Sequence, residues 1–120
     1  MPYRFDWNKE SALVTFHGEV TYADIESADE ALFNDPRFDN LDFIVYDLLT
    51  IDDLDVTDHN LQVTSAINSS ASQWNRKLKM AFVAKDGYVL EAVERFIELM
   101  QKSNWKIRVF GSLKDAFKWA

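Results

Sequence analysis

The chain has 120 residues, 3 Gly, 2 Pro, no Cys and a formal charge of −7. That length suits one domain, residues 1–120, around one core, and the lack of Cys excludes a disulfide framework, a thiolate nucleophile and a Cys-based metal centre. Residues 1–75 carry 3 basic and 15 acidic side chains, a net of −12, and residues 76–120 carry 10 basic and 5 acidic, a net of +5; the acidic part argues against nucleic acid, whose phosphates need a basic face.

The start, MPYRFDWNKE, lacks a basic segment followed by an apolar run. No signal peptide is therefore expected, and a cytoplasmic location is. No apolar run approaches the ~18–20 residues of an integral membrane segment.

Tyr3, Phe5 and Trp7 alternate with Arg4 and Asp6, the period of a half-buried strand. A short polar turn leads to a second strand, Ala12–Phe16, ended by His17-Gly18-Glu19. Strands joined this tightly are antiparallel. Thr21, with Asp24 three residues on, predicts a helix start, and Ile25, Ala28, Leu32 and Phe33 mark its apolar stripe. Asn34-Asp35-Pro36 stops it.

Leu41–Leu48 reads as a buried third strand, because Phe43-Ile44-Val45-Tyr46 is continuously apolar. An aspartate-rich loop follows. Thr57 then caps a helix to about Asn75, with Val63, Ile67, Ala71 and Trp74 as the expected buried stripe. Asn60–Asn75 holds no charged residue. A polar, uncharged face is cheap to desolvate, which makes Gln62, Ser65, Ser69, Ser72 and Gln73 interface candidates.

Leu78–Ala84 is the fourth strand and Lys85-Asp86-Gly87 a turn. Tyr88–Lys102 is an amphipathic helix with an expected Glu91–Arg95 pair on its outer face. Trp105–Phe110 is the fifth strand, and Ser112 caps a last short helix. The order is ββαβαβαβα. It implies an α/β fold with a mixed five-stranded sheet: an antiparallel N-terminal hairpin, then parallel strands joined by helices. Trp7, Trp74, Trp105 and Trp119 are expected in packing roles.

Ligands in open α/β sheets lie beyond the carboxyl ends of parallel strands. That places His17, Glu19, Asp47, Asp52, Asp55, Thr57, His59, Lys85 and Asp86 as candidate ligand- or partner-binding residues. A His–carboxylate pair there can do acid/base work, and His with several Asp can hold a metal. The spacing of His17 and His59 fits no metal motif, however. The loop from Asp53 has Asp58 where a calcium loop needs Gly and Thr64 where it needs Glu. GxGxxG, GxxxxGK[ST] and G-x-S-x-G are all absent. No catalytic residue, metal site or cofactor is therefore assigned.

The element order resembles the SpoIIAA-like, or STAS, fold, and more closely the stand-alone bacterial STAS-like proteins of poorly defined function. Gly18-Glu19-Val20-Thr21 with Asp24, Lys79–Gly87 and Ile107–Trp119 carry the resemblance, which spans essentially the whole chain. Anti-sigma-factor antagonists of this fold have a phosphorylated Asp-Ser-Ser-Gly motif; the similar stretch here is Asp55-Val56-Thr57-Asp58. Phosphate on Thr57 would meet repulsion from the neighbouring aspartates. The uncharged helix face and the lack of a catalytic motif point to a non-enzymatic binding or regulatory domain of STAS-like type, acting through a protein partner or as a homodimer. The alternatives are binding of a small apolar molecule or lipid at the strand-end crevice, a phospho-switch, and an enzyme using His17 or His59 with Asp47.

Overall fold

Phe43–Asp55 forms β3, the central strand of a five-stranded sheet in the computed structural model, which describes residues 2–120. It is flanked by β1 (Tyr3–Asn8) and β2 (Ser11–Thr21) on one side, and by β4 (Lys79–Val83) and β5 (Lys106–Phe110) on the other. The spatial order equals the chain order. β1 and β2 pair antiparallel and every later pair is parallel, the ββαβαβαβα arrangement expected. Four α-helices make the connections and the close: α1 (Tyr22–Asn34), α2 (Asp58–Ala71), α3 (Gly87–Leu99) and α4 (Leu113–Lys118).

The sheet separates two cores. On one face Val14, Phe16, Ile44, Tyr46 and Met80 pack with Ala28 and Leu32 of α1, Ala71 of α2 and Phe96 of α3. On the other, Phe43, Val45, Ala81 and Val83 pack with Ala116 of α4. Successive strand residues point to opposite faces, so the apolar run Phe43–Tyr46 feeds both layers.

The helix starts match the predicted caps. Thr21 and Asp24 form a reciprocal capping box, and Thr57 forms one with Asn60. Ser112 accepts from the Asp115 amide. A 3-10 helix at Pro36–Asn40, not anticipated, comes after α1.

Two features differ from expectation. First, β2 does not stop at Phe16, nor β3 at Leu48. They stay paired to Thr21 and Asp55, so the expected aspartate loop is strand. β4 pairs only with Phe43–Asp47, and beyond that the two strands run on as a parallel ribbon. The pairing slips twice, between Thr15 and His17 and between Gly18 and Glu19, each slip giving β3 one extra residue. Each bulge reverses the facing of the residues beyond it. The two together keep Tyr46, Leu48, Ile51, Leu54 and Val56 on the helix-covered face. Gly18 sits at the second bulge with φ +68°, a conformation favouring glycine.

Second, α2 is rotated. Its buried positions are Thr64, Ser65, Asn68 and Ala71, with Ser72 at its C-cap, while Ile67 and Trp74 are 43% and 80% exposed. Small polar side chains fill this face because the helix satisfies them. Ser65 donates to the Gln62 carbonyl (2.8 Å), Asn68 to that of Thr64 (2.8 Å) and Ser72 to that of Ser69 (2.7 Å). The interface candidates divide accordingly: Gln62 and Gln73 are exposed, Ser69 is half-buried, and Ser65 and Ser72 are core. Trp105 is buried as expected, whereas Trp74 is not. Arg95 binds Asp58 (2.8 Å) and Glu98 rather than Glu91, which ties α3 to the first turn of α2.

Candidate ligand-binding site

The β2–β3 ribbon overhangs the space between the helices, and beneath it lies an apolar cavity of about 100 Å³, open on one side. The strands contribute Phe16, Val20, Tyr46, Leu48, Ile51, Leu54, Met80 and Phe82. Val56 lines it at the ribbon's end, Ile25 from α1, Leu61 from α2, and Ala92, Val93 and Phe96 from α3. The Tyr88 hydroxyl donates to the Val56 carbonyl and pins the ribbon to α3.

Three polar side chains besides Tyr46 reach this wall: Asp29 from α1, Thr64 and Asn68 from α2. Thr64 Oγ1 donates to Asp29 Oδ2 at 2.9 Å and Asn68 Nδ2 donates to the same oxygen at 3.2 Å. The link joins the two helices at the cavity wall. Burial pushes the Asp29 carboxyl up to about 6, against the lowering effect of the Thr64 and Asn68 bonds and with a smaller push from Glu26. Tyr46 is raised well above its ordinary range, first by burial and then by the Asp29 charge. Tyr22 is raised by burial, then by Glu26 and Asp29.

The residues named from the sequence lie elsewhere. His17, Glu19, Asp52, Asp55, Thr57, His59, Lys85 and Asp86 are exposed and Asp47 half-buried, and none lines the cavity. Asp47 accepts from the Leu49 amide at 3.1 Å within the first bulge. Among the described residues no three His, Asp or Glu cluster as a metal site.

Asp29 was not among the candidates, although a signal existed. It falls four residues after Ile25 and three before Leu32, on the apolar stripe of α1. A charged residue on that stripe either meets partners or faces a cavity, and Asp29 does both. Asn68, four after Thr64 and three before Ala71, carries the same signal on α2.

An uncharacterised protein of the DUF3478 family from Shewanella loihica PV-4, described as having a SpoIIAA-like fold, superimposes with a TM-score of 0.60. The match covers 98% of this chain and 90% of that one at 14% identity. The chain has a SpoIIAA-like fold. The anti-sigma factor antagonist SpoIIAA in its unphosphorylated form matches with a TM-score of 0.56 and 9% identity, over 98% of this chain and 96% of that one. The Bacillus cell fate determinant SpoIIAA in its phosphorylated form gives 0.57 and 10%, over 98% and 97%. No family model matches the chain, and no curated protein does. The resemblance expected from the sequence thus holds at the level of the fold.

In this SpoIIAA-like chain the stretch similar to Asp-Ser-Ser-Gly lies where β3 passes into α2. Val56 is 7% exposed and forms cavity wall. Thr57 holds its hydroxyl against the Asn60 amide at 3.1 Å as the helix cap.

Proposed function

We propose that the protein is a non-enzymatic, SpoIIAA-like binding domain whose site is the apolar cavity under the β2–β3 ribbon, and that its ligand is a small apolar molecule. The cavity itself carries this reading. It lies at the carboxyl ends of parallel strands, where open sheets take ligands, and its lining is apolar with a few converging polar groups. An apolar cavity of ~150 Å³ admits benzene; this one, smaller but open, takes one ring or a short alkyl chain and leaves the remainder of a ligand outside. With one carboxyl already held by two donors and no histidine in the lining, the wall offers polar anchoring and no acid/base pair.

Toluene titrated into the protein should give saturable amide shifts confined to the lining residues. Ala92→Leu, which fills the cavity, should weaken that binding at least about tenfold, the effect of ~1.4 kcal/mol. Leu61→Trp at the more exposed rim provides a second block if Ala92→Leu melts early. Shifts that do not saturate, or that survive both substitutions, would sink the proposal.

A second reading has its own observation. The exposed side of α2 and its following turn presents Gln62, Ala66, Ile67, Ser70, Gln73 and Trp74 without a charge. A Trp 80% exposed beside uncharged polar groups is suited to a protein contact, with a second copy as the simplest partner. Light scattering at high micromolar concentration should then show a dimer that Trp74→Arg converts to monomer; a wild-type monomer would rule out self-association.

A further inference from the structure

We propose that the cavity selects a small apolar amine, whose ammonium bonds Asp29 Oδ1 while its hydrocarbon part lies against Phe16, Ile51, Leu54, Phe82 and Phe96. The inference rests on the cavity being a ligand site, and goes on to the chemistry of what enters it.

The Asp29 carboxylate is used on one oxygen only. Both of its protein donors, Thr64 Oγ1 and Asn68 Nδ2, go to Oδ2. Among the described residues no donor reaches Oδ1, and no Lys, Arg or His pairs with Asp29. Among the described residues the cavity lining contains no cation, and Asp29 is its one charged side chain. The ionisable groups that act on it add no positive charge either: Glu26 on α1 raises it, and Tyr22 on α1 and Tyr46 on β3 feel its charge. Thr64 and Asn68 face it from α2, and the α3 wall of Ala92, Val93 and Phe96 is apolar.

A carboxylate in an apolar cavity with an unused oxygen and no counter-ion is complementary to a cation. Coulomb attraction is strongest where water is thin, and a charge-assisted bond exceeds a neutral one. An anionic ligand is repelled by Asp29 and Glu26. A neutral alcohol gains one ordinary hydrogen bond. An alkyl ammonium gains both the bond and the charge pair, and its chain gains the apolar wall. Purely structural use of Asp29, as the α1–α2 link, would need Oδ2 alone.

The test uses the full chain and three probes with one alkyl group: n-butylamine, n-butanol and n-butyrate, monitored by amide shifts of the lining residues. At pH 7.5 butylamine should bind about tenfold more tightly than butanol, as expected for a charged against a neutral hydrogen bond, and butyrate should not bind. Asp29→Asn retains an amide oxygen for Thr64 and Asn68 but turns an NH₂ toward the ligand. It should remove the preference for the amine and leave butanol binding. Lowering the pH to 5 should weaken the amine in the wild type as Asp29 takes a proton, while the amine stays charged and butanol is unaffected. Equal affinities for amine and alcohol, or an amine preference kept by Asp29→Asn, overturn the role given to Asp29 and leave the cavity standing. If no probe shifts the lining residues, the cavity reading and this inference both fail.

Discussion

Asn75→Ala is expected to lower the stability of the fold by about 2–3 kcal/mol, the loss of one ordinary hydrogen bond and one buried acceptor's only donor. Asn75 is 3% exposed. Its Nδ2 donates to the carbonyls of Phe38 and Leu41, each at 2.8 Å, and closes the end of the 3-10 helix. Its own carbonyl accepts the Trp105 indole N–H at 2.6 Å. The residue thus ties the turn after α2 to the chain entering β3 and to the start of β5. Alanine keeps the backbone carbonyl but strands the buried Leu41 carbonyl, at about 1–3 kcal/mol, and leaves the Phe38 carbonyl with the Leu41 amide as its one donor. Asn75→Asp should be at least as damaging, since a carboxylate would face two carbonyl oxygens. Urea midpoints at constant m-value measure the loss; a change under ~1 kcal/mol for Asn75→Ala would show that solvent reaches these carbonyls.

The second large effect is a pH dependence set by Asp29. Its folded-state value of about 6 stands above its ordinary 3.8. Folding therefore favours its protonated form, and the stability this gives is complete below the unfolded value and lost as pH rises through the folded one. The shift of about two units corresponds to a ceiling of about 3 kcal/mol. Between pH 8 and pH 5 about 1.5 kcal/mol of it should return. Asp35 and Asp58, both lowered by arginine partners, work in the opposite direction but at pH values below this window. Asp29→Asn should be about 2 kcal/mol more stable than wild type at pH 8 and should lack the gain between pH 8 and pH 5. A wild-type chain whose urea midpoint is flat over that range would contradict the burial assigned to Asp29. A carboxyl that costs stability at neutral pH is the kind of group a binding site retains.

How much of the fold and site is legible in the sequence depends on whether neighbours along the chain or neighbours in space decide the matter. The caps at Thr21, Thr57 and Ser112 bond to amides three residues away, so their pattern can be read directly. The buried run Phe43–Tyr46 likewise marks the central strand. The ribbon beyond it escapes a sequence reading because two bulges break the period-two signal over Leu48–Asp55, and what keeps that segment extended is pairing with β2. The face of α2 is misjudged because hydrophobicity ranks Ile67 and Trp74 above Thr64, Ser65 and Asn68. Hydroxyls and amides that bond back to helix carbonyls, or across to Asp29, are as buriable as apolar groups.

The order of elements, the parallel sheet with its antiparallel hairpin, and the places where helices begin can be read along the chain, because they rest on local periodicity and local hydrogen bonds. The place of the cavity, in contrast, follows from the packing of distant elements. A cavity is defined by what several elements fail to fill, and the polar group in its wall is identified by the partners it has and the one it lacks. Asp29 meets Thr64 and Asn68 across 35 and 39 residues of chain. No pattern confined to α1 carries that distance.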